Sequence, residues 1–191
     1  YHINIVKKIK EKLSLPVSVK LSSDYTNVLG FIKKLDAVGV DGLVLFNAFF
    51  QPDIRVNTEK HKKGFNLSRR GEYRKSLRYA GLLYGNIKAD VCSSRGIFTG
   101  EEVVKHLLSG ATAVQMVSAV YKQGFKQIQS AKNEISDWME GKGYNSIDDF
   151  KGKLAQKNLS PDSLVYKRAQ YVDLLMTSDN IFGDQEQDGM F

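Results

Sequence analysis

The sequence is poor in several residue types, and each shortage excludes something. A single cysteine, Cys92, rules out an internal disulfide framework and fits a reducing cytoplasm. The three histidines, His2, His61 and His106, are scattered, and no His/Cys/Asp/Glu spacing resembles a metal site. No run of 18 apolar residues exists, so no membrane span is expected. Acidic charge is also in short supply: 28 Lys and Arg face 21 Asp and Glu, a net charge of +7. The excess is local. Between Arg55 and Arg78 nine basic residues stand against Glu59 and Glu72, which accounts for the whole imbalance. Such a segment is either a solvated loop or a docking surface for an anion. Nucleic acid is the weaker partner, because the segment lacks the interleaved aromatics that base stacking needs.

What is present is a repeating order. Ile5, Val6, Ile9 and Leu13 form the apolar stripe of a helix that starts without a capping residue, so the chain reads as a fragment of something larger. Pro16–Leu21 is a short β-branched run, followed by a helical pattern from about Asn27 to Val38. Gly42–Phe46 is continuously apolar, as in a strand buried on both faces. A polar loop, Asn47–Gly71, leads to a helix over Glu72–Tyr84. A third strand is expected from Ile87 to Cys92. A helix capped by Thr99 and Glu102 follows, then a fourth strand over Ala113–Val117 and a helix over Lys126–Lys142. Strand and helix alternate four times, which calls for parallel strands with right-handed crossovers.

Two α/β architectures satisfy this order: a small doubly wound sheet, or half of a TIM (β/α)8 barrel. The position of polar residues favours the barrel. Lys20, Asn47, Ser93 and Ser118 are each placed at the carboxyl end of a strand, where barrel loops converge on one site. Residues 1–158 form this domain; 159–191 read as a C-terminal extension, with one more helix expected over Pro161–Met176.

Ser93-Ser94-Arg95-Gly96-Ile97 joins a strand to a helix. Its small residues would let backbone N–H groups approach an anion, the helix start would add its dipole, and Arg95 could bind phosphate. Val117-Ser118-Ala119 offers a second half of such a cradle. Lys20 lies inside an apolar strand, either snorkelling to solvent or held as a cation in the barrel mouth. Cys92, among apolar neighbours, reads as core packing.

These pieces, in this order, resemble the C-terminal half of the class 1 dihydroorotate dehydrogenase family, notably its dihydroorotate dehydrogenase-like branch. The likeness is carried by PVSVKL at 16–21, GVDGLVLFN at 39–47 and RGIFTG at 95–100. LLSGA at 107–111, VQMVSA at 114–119 and GYNSIDDFKGKL at 143–154 extend it. The resemblance implies a barrel carrying flavin mononucleotide (FMN) and acting on dihydroorotate or a similar small cyclic molecule in the cytoplasm, as a homodimer. Lys20 would meet the pyrimidine edge of the flavin and steady its reduced form, with Asn47 beside the substrate or flavin edge. Ser94, Arg95, Gly96, Val117 and Ser118 would hold the flavin phosphate, and Leu67-Ser68 matches part of a third, usually glycine-rich, phosphate loop. Arg95, Val117, Asn66 and Arg69 replace glycines usual in the family, which crowds backbone approach to phosphate; Arg95 and Arg69 can compensate by charge. The family's catalytic base, a cysteine, lies on a loop of the N-terminal half, and Cys92 is not at its position. Rival readings are another FMN barrel oxidoreductase, such as a dihydropyrimidine dehydrogenase-like enzyme, and a non-catalytic relative that binds the flavin or an anion.

Overall fold

The structure, a computed structural model, describes residues 1–48, 51–62, 64 and 67–167. The chain divides into two compact units, Tyr1–Asn158 and Leu159–Phe191. In the second unit, residues 161–167 form turns rather than the start of the expected helix. The remainder of that helix lies outside the described residues.

Four parallel strands build the main sheet in the order β1 (Ser18–Ser22), β2 (Gly42–Asn47), β5 (Asp90–Ser94), β6 (Ala113–Gln115). Each is followed by a helix: α2 (Val28–Ala37), α3 (Arg74–Leu83), α4 (Gly100–Ser109) and the pair α5 (Val117–Gln123) and α6 (Lys126–Lys142). Helix α1 (His2–Lys12) precedes β1. Strand order equals chain order, as in a barrel wall; a doubly wound sheet would reverse direction. This is the C-terminal half of a β/α barrel.

Register explains which face is packed. Val19, Leu43 and Val91 are in line across the sheet, as are Lys20, Val44, Cys92 and Ala113 one residue on. Successive residues point to opposite faces, so these two rows lie on opposite sides. The first row, with Leu21 and Leu45, packs against Val6, Val28, Ile32, Leu35, Ala80 and Leu83 of α1–α3. A fully buried Leu or Ile contributes about 1.5–3 kcal/mol, so this face anchors the unit. The second row faces what would be the barrel interior and carries Lys20 and Cys92.

The sequence reading differs from the structure at three boundaries. The third strand begins at Asp90 rather than Ile87 and runs on through Ser94. The last strand stops at Gln115, and Val117 opens α5. The polar loop contains a small antiparallel hairpin, β3 (Ile54–Arg55) and β4 (Lys60–His61), wholly exposed. Its two-residue strands are too short to show an alternating pattern.

Among the described residues no helix is long and apolar enough to cross a membrane.

Candidate functional site

The carboxyl ends of the strands enclose a cavity of about 270 Å³. Eight sequence-singled residues line it: Lys20, Asn47, Ser68, Ser94, Arg95, Gly96, Val117 and Ser118. They come from five stretches of chain that the sheet order brings together.

Ser93 does not join them. It is fully buried, and its hydroxyl has no hydrogen-bond partner among the described residues. Neighbouring strand residues alternate faces, and Ser94 occupies the cavity side. Lys20 is not at a strand end either; it lies mid-strand, two residues before the end of β1. Its ammonium donates to Gln115 Oε1 at 3.1 Å, across the open face of the sheet. Gln115 was not singled out from sequence, because a partner 95 residues away leaves no local signal.

A register irregularity between Leu21 and Ser22 sets Ser22 opposite Asn47. Such irregularities re-aim a strand-end side chain, and Asn47 is exposed at the cavity wall. Ser68 is pinned at both ends: its N–H donates to Ser118 Oγ at 3.0 Å, and its carbonyl accepts from Lys122 Nζ at 3.2 Å. Leu67 and Ser68 are thereby fastened to α5. Asn66, beside them, lies outside the described residues.

The loop after β5 carries the most unusual backbone. Arg95 has φ +82°, a left-handed conformation that costs a side-chain-bearing residue roughly 1–2 kcal/mol. Its guanidinium pairs with Glu72 at 2.9 Å, yet its Nε is buried without a partner. A strained, half-satisfied cation at a cavity wall is a place where a ligand can complete the hydrogen bonding. Gly96 follows at φ +62°, and a Cβ there would lie 2.5 Å from the Arg69 carbonyl oxygen. The glycine is therefore required by the close passage of the segment beginning at Arg69.

The start of α4 does not serve an anion, contrary to the sequence reading. Phe98 N–H and Thr99 N–H donate to Glu102 Oε2 at 2.5 and 3.0 Å, and Gly100 N–H donates to Glu134 Oε2 at 2.7 Å. The chain's own carboxylates occupy these three N–H groups. The Thr99–Glu102 capping box itself forms as the spacing predicts.

Cys92 lies in the same register row as Lys20, half-buried. Burial pushes its thiol pKa up, and the Lys20 charge opposes this only in part. It is a thiol at neutral pH, which is poor chemistry for a base. Among the described residues no cluster of His, Cys, Asp or Glu could hold a metal ion.

Fold and cavity together define a β/α-barrel protein whose strand ends present cations, hydroxyls and amides to a small molecule. Comparison with known proteins makes this specific. A family model described as dihydroorotate dehydrogenase matches residues 2–139. The chain belongs to the dihydroorotate dehydrogenase family, in class 1, as the sequence resemblance indicated. It is 26% identical over 140 residues to the catalytic subunit of dihydroorotate dehydrogenase B (NAD(+)) of Methanocaldococcus jannaschii, covering 72% of this chain and 46% of that protein. It is 33% identical over 130 residues to dihydroorotate dehydrogenase (fumarate) of Saccharomyces mikatae, covering 66% and 39%. Among solved structures, dihydroorotate dehydrogenase of Eimeria tenella in complex with ferulenol aligns with a TM-score of 0.57 at 23% identity, over 73% of this chain and 38% of that one. The last likeness concerns the fold. The chain thus spans less than half the length of these relatives.

Proposed function

We propose that the protein is an FMN-dependent oxidoreductase that oxidises dihydroorotate to orotate, or acts on a closely similar cyclic acid. The observation that carries this reading is the convergence of Lys20, Asn47, Ser68, Arg95 and Ser118 on one cavity at the strand ends. The donor set suits a phosphate-bearing flavin. Arg95 offers a buried, unpartnered Nε, and Ser94 and Ser118 supply hydroxyls. Bound there, the flavin would accept a hydride from the substrate ring.

The chain's own residues divide the remaining work. Arg95, Ser94 and the start of α5 hold the phosphate end. Lys20, steadied by Gln115, places a fixed cation where negative charge develops. Asn47 presents an amide able both to donate and to accept toward substrate or flavin edge. The family resemblance assigns the proton acceptor to a cysteine of the N-terminal half of the barrel, a position that Cys92 does not occupy. Cys92 does not take that role, since burial keeps its thiol protonated. The family resemblance implies a cytoplasmic homodimer.

A second reading keeps FMN and changes the substrate, as in a dihydropyrimidine dehydrogenase-like enzyme. It is favoured by Arg95 and Val117 at positions where the family usually carries glycine, both of which line the cavity.

The test uses the full-length protein with dihydroorotate and an artificial electron acceptor. Lys20→Ala is expected to weaken flavin binding and to lower turnover by roughly 100-fold or more, the usual loss for a preorganised electrostatic group. Cys92→Ala is expected to stay within a few-fold. Loss of turnover in Cys92→Ala with flavin retained would place the base in this chain and overturn the assignment.

A further inference from the structure

Lys20 and Gln115 stand on β1 and β6, the two outer strands of the main sheet, and their side chains meet at 3.1 Å across the two strands between. Register puts them on one face. Lys20 is in line with Val44, Cys92 and Ala113, and Gln115 comes two residues after Ala113. Val44 and Cys92, between the two ends, offer an ammonium no strong acceptor.

The chemistry of the pair fixes its orientation. An ammonium only donates, so Gln115 turns its Oε1 to Lys20 and its NH2 group away. That NH2 group has no hydrogen-bond partner among the described residues, and Gln115 lines the strand-end cavity together with Lys20. Lys20 forms no ion pair among the described residues. A neutral acceptor thus holds the cation in place without cancelling its charge. Arg95, on the same cavity wall, is held differently: Glu72 pairs with it at 2.9 Å and offsets its charge.

We infer that Gln115 is a positioning residue that sets the reduction potential of the bound flavin, by fixing the uncancelled Lys20 ammonium where negative charge gathers on reduction. The inference rests on the FMN reading. A fixed cation stabilises a developing negative charge better than a mobile one, because nothing has to reorient when the charge appears. It therefore favours the reduced cofactor over the oxidised one, and releasing or neutralising it shifts the balance back.

The experiment is a spectroscopic redox titration of FMN bound to the full-length protein, with the affinity for oxidised FMN measured alongside. Gln115→Leu removes the acceptor at similar volume. Gln115→Glu keeps the shape and places a counter-charge against Lys20. Gln115→Glu is expected to weaken reduced FMN relative to oxidised FMN roughly tenfold, a fall of about 30 mV for a two-electron couple. Gln115→Leu should give a smaller fall in the same direction. In a Lys20→Met background Gln115→Leu should lower the potential no further, since its effect passes through Lys20. Equal loss of affinity for both redox forms, with the potential unmoved, overturns the inference by making Gln115 a structural residue only. A potential that still falls on adding Gln115→Leu to Lys20→Met overturns it as well, because Gln115 would then act on the flavin directly. A folded wild-type protein that takes up no FMN refutes the cofactor reading, and the inference falls with it.

Discussion

Gly96→Ala should destabilise the protein by roughly 3 kcal/mol, combining the cost of a left-handed alanine with that of overpacking. The position has φ +62°, and the new methyl carbon would meet the Arg69 carbonyl oxygen at 2.5 Å and the Tyr73 amide nitrogen at 3.0 Å. Both are backbone atoms, so neither can swing aside as a side-chain end would. Relief requires the 69–73 segment to move, and that segment carries Glu72, which pairs with Arg95 at the cavity wall. Ligand affinity should therefore fall together with stability. Gly141→Ala is the matched control: it lies in α6 with nothing within 4 Å of the added carbon. Alanine there should be neutral or stabilising by up to about 1 kcal/mol. Urea unfolding of both variants reads the contrast. Equal effects at the two positions would mean that the β5–α4 loop does not pack against Arg69 as described.

Acid should weaken the fold through His106. This residue is fully buried in α4, with its ring edge-on to Tyr73 at a centroid distance of 5.6 Å. Neither ring nitrogen has a hydrogen-bond partner among the described residues. Burial pushes its pKa down from 6.5 to about 4. Between those values the unfolded chain binds a proton that the native chain refuses, so stability rises with pH across this window. The contribution is complete above pH 6.5 and is lost as the pH falls to about 4. A shift of that size corresponds to about 3 kcal/mol. His106→Phe keeps a ring of similar size and removes the titration. Its unfolding free energy should lack that part of the slope between pH 6.5 and 4. An unchanged slope in His106→Phe would assign the acid sensitivity to other groups.

Much of the architecture was legible because it depends on local patterns. The apolar run Gly42–Phe46 marked a central buried strand, and β2 is buried across Leu43–Phe46. The Thr99–Glu102 spacing marked the start of α4 correctly. The start of α5 was hidden for an equally local reason. Ala113–Val117 (AVQMV) is apolar but for Gln115 and reads as strand throughout, and only tertiary context ends β6 at Gln115.

The site was less legible than the fold. Residue type and position led to eight of the cavity's lining residues, yet not to their faces. Ser93 and Ser94 are alike in sequence and differ by one step of strand alternation, which puts only Ser94 at the cavity. The partners that set the electrostatics, Gln115 for Lys20 and Glu72 for Arg95, are 95 and 23 residues distant. The Gly100 N–H at the start of α4 is likewise occupied by Glu134, which comes from another helix. These are products of packing, and no short window of sequence encodes them.

The strand-end cavity is proposed to hold FMN. The most direct test is an absorbance spectrum of the full-length protein purified without denaturant, followed by titration with FMN if the preparation is pale. The account predicts the bands of oxidised flavin, released on denaturation in stoichiometric amount, and weaker retention in Lys20→Ala. A folded, colourless protein that also fails to bind added FMN would contradict it.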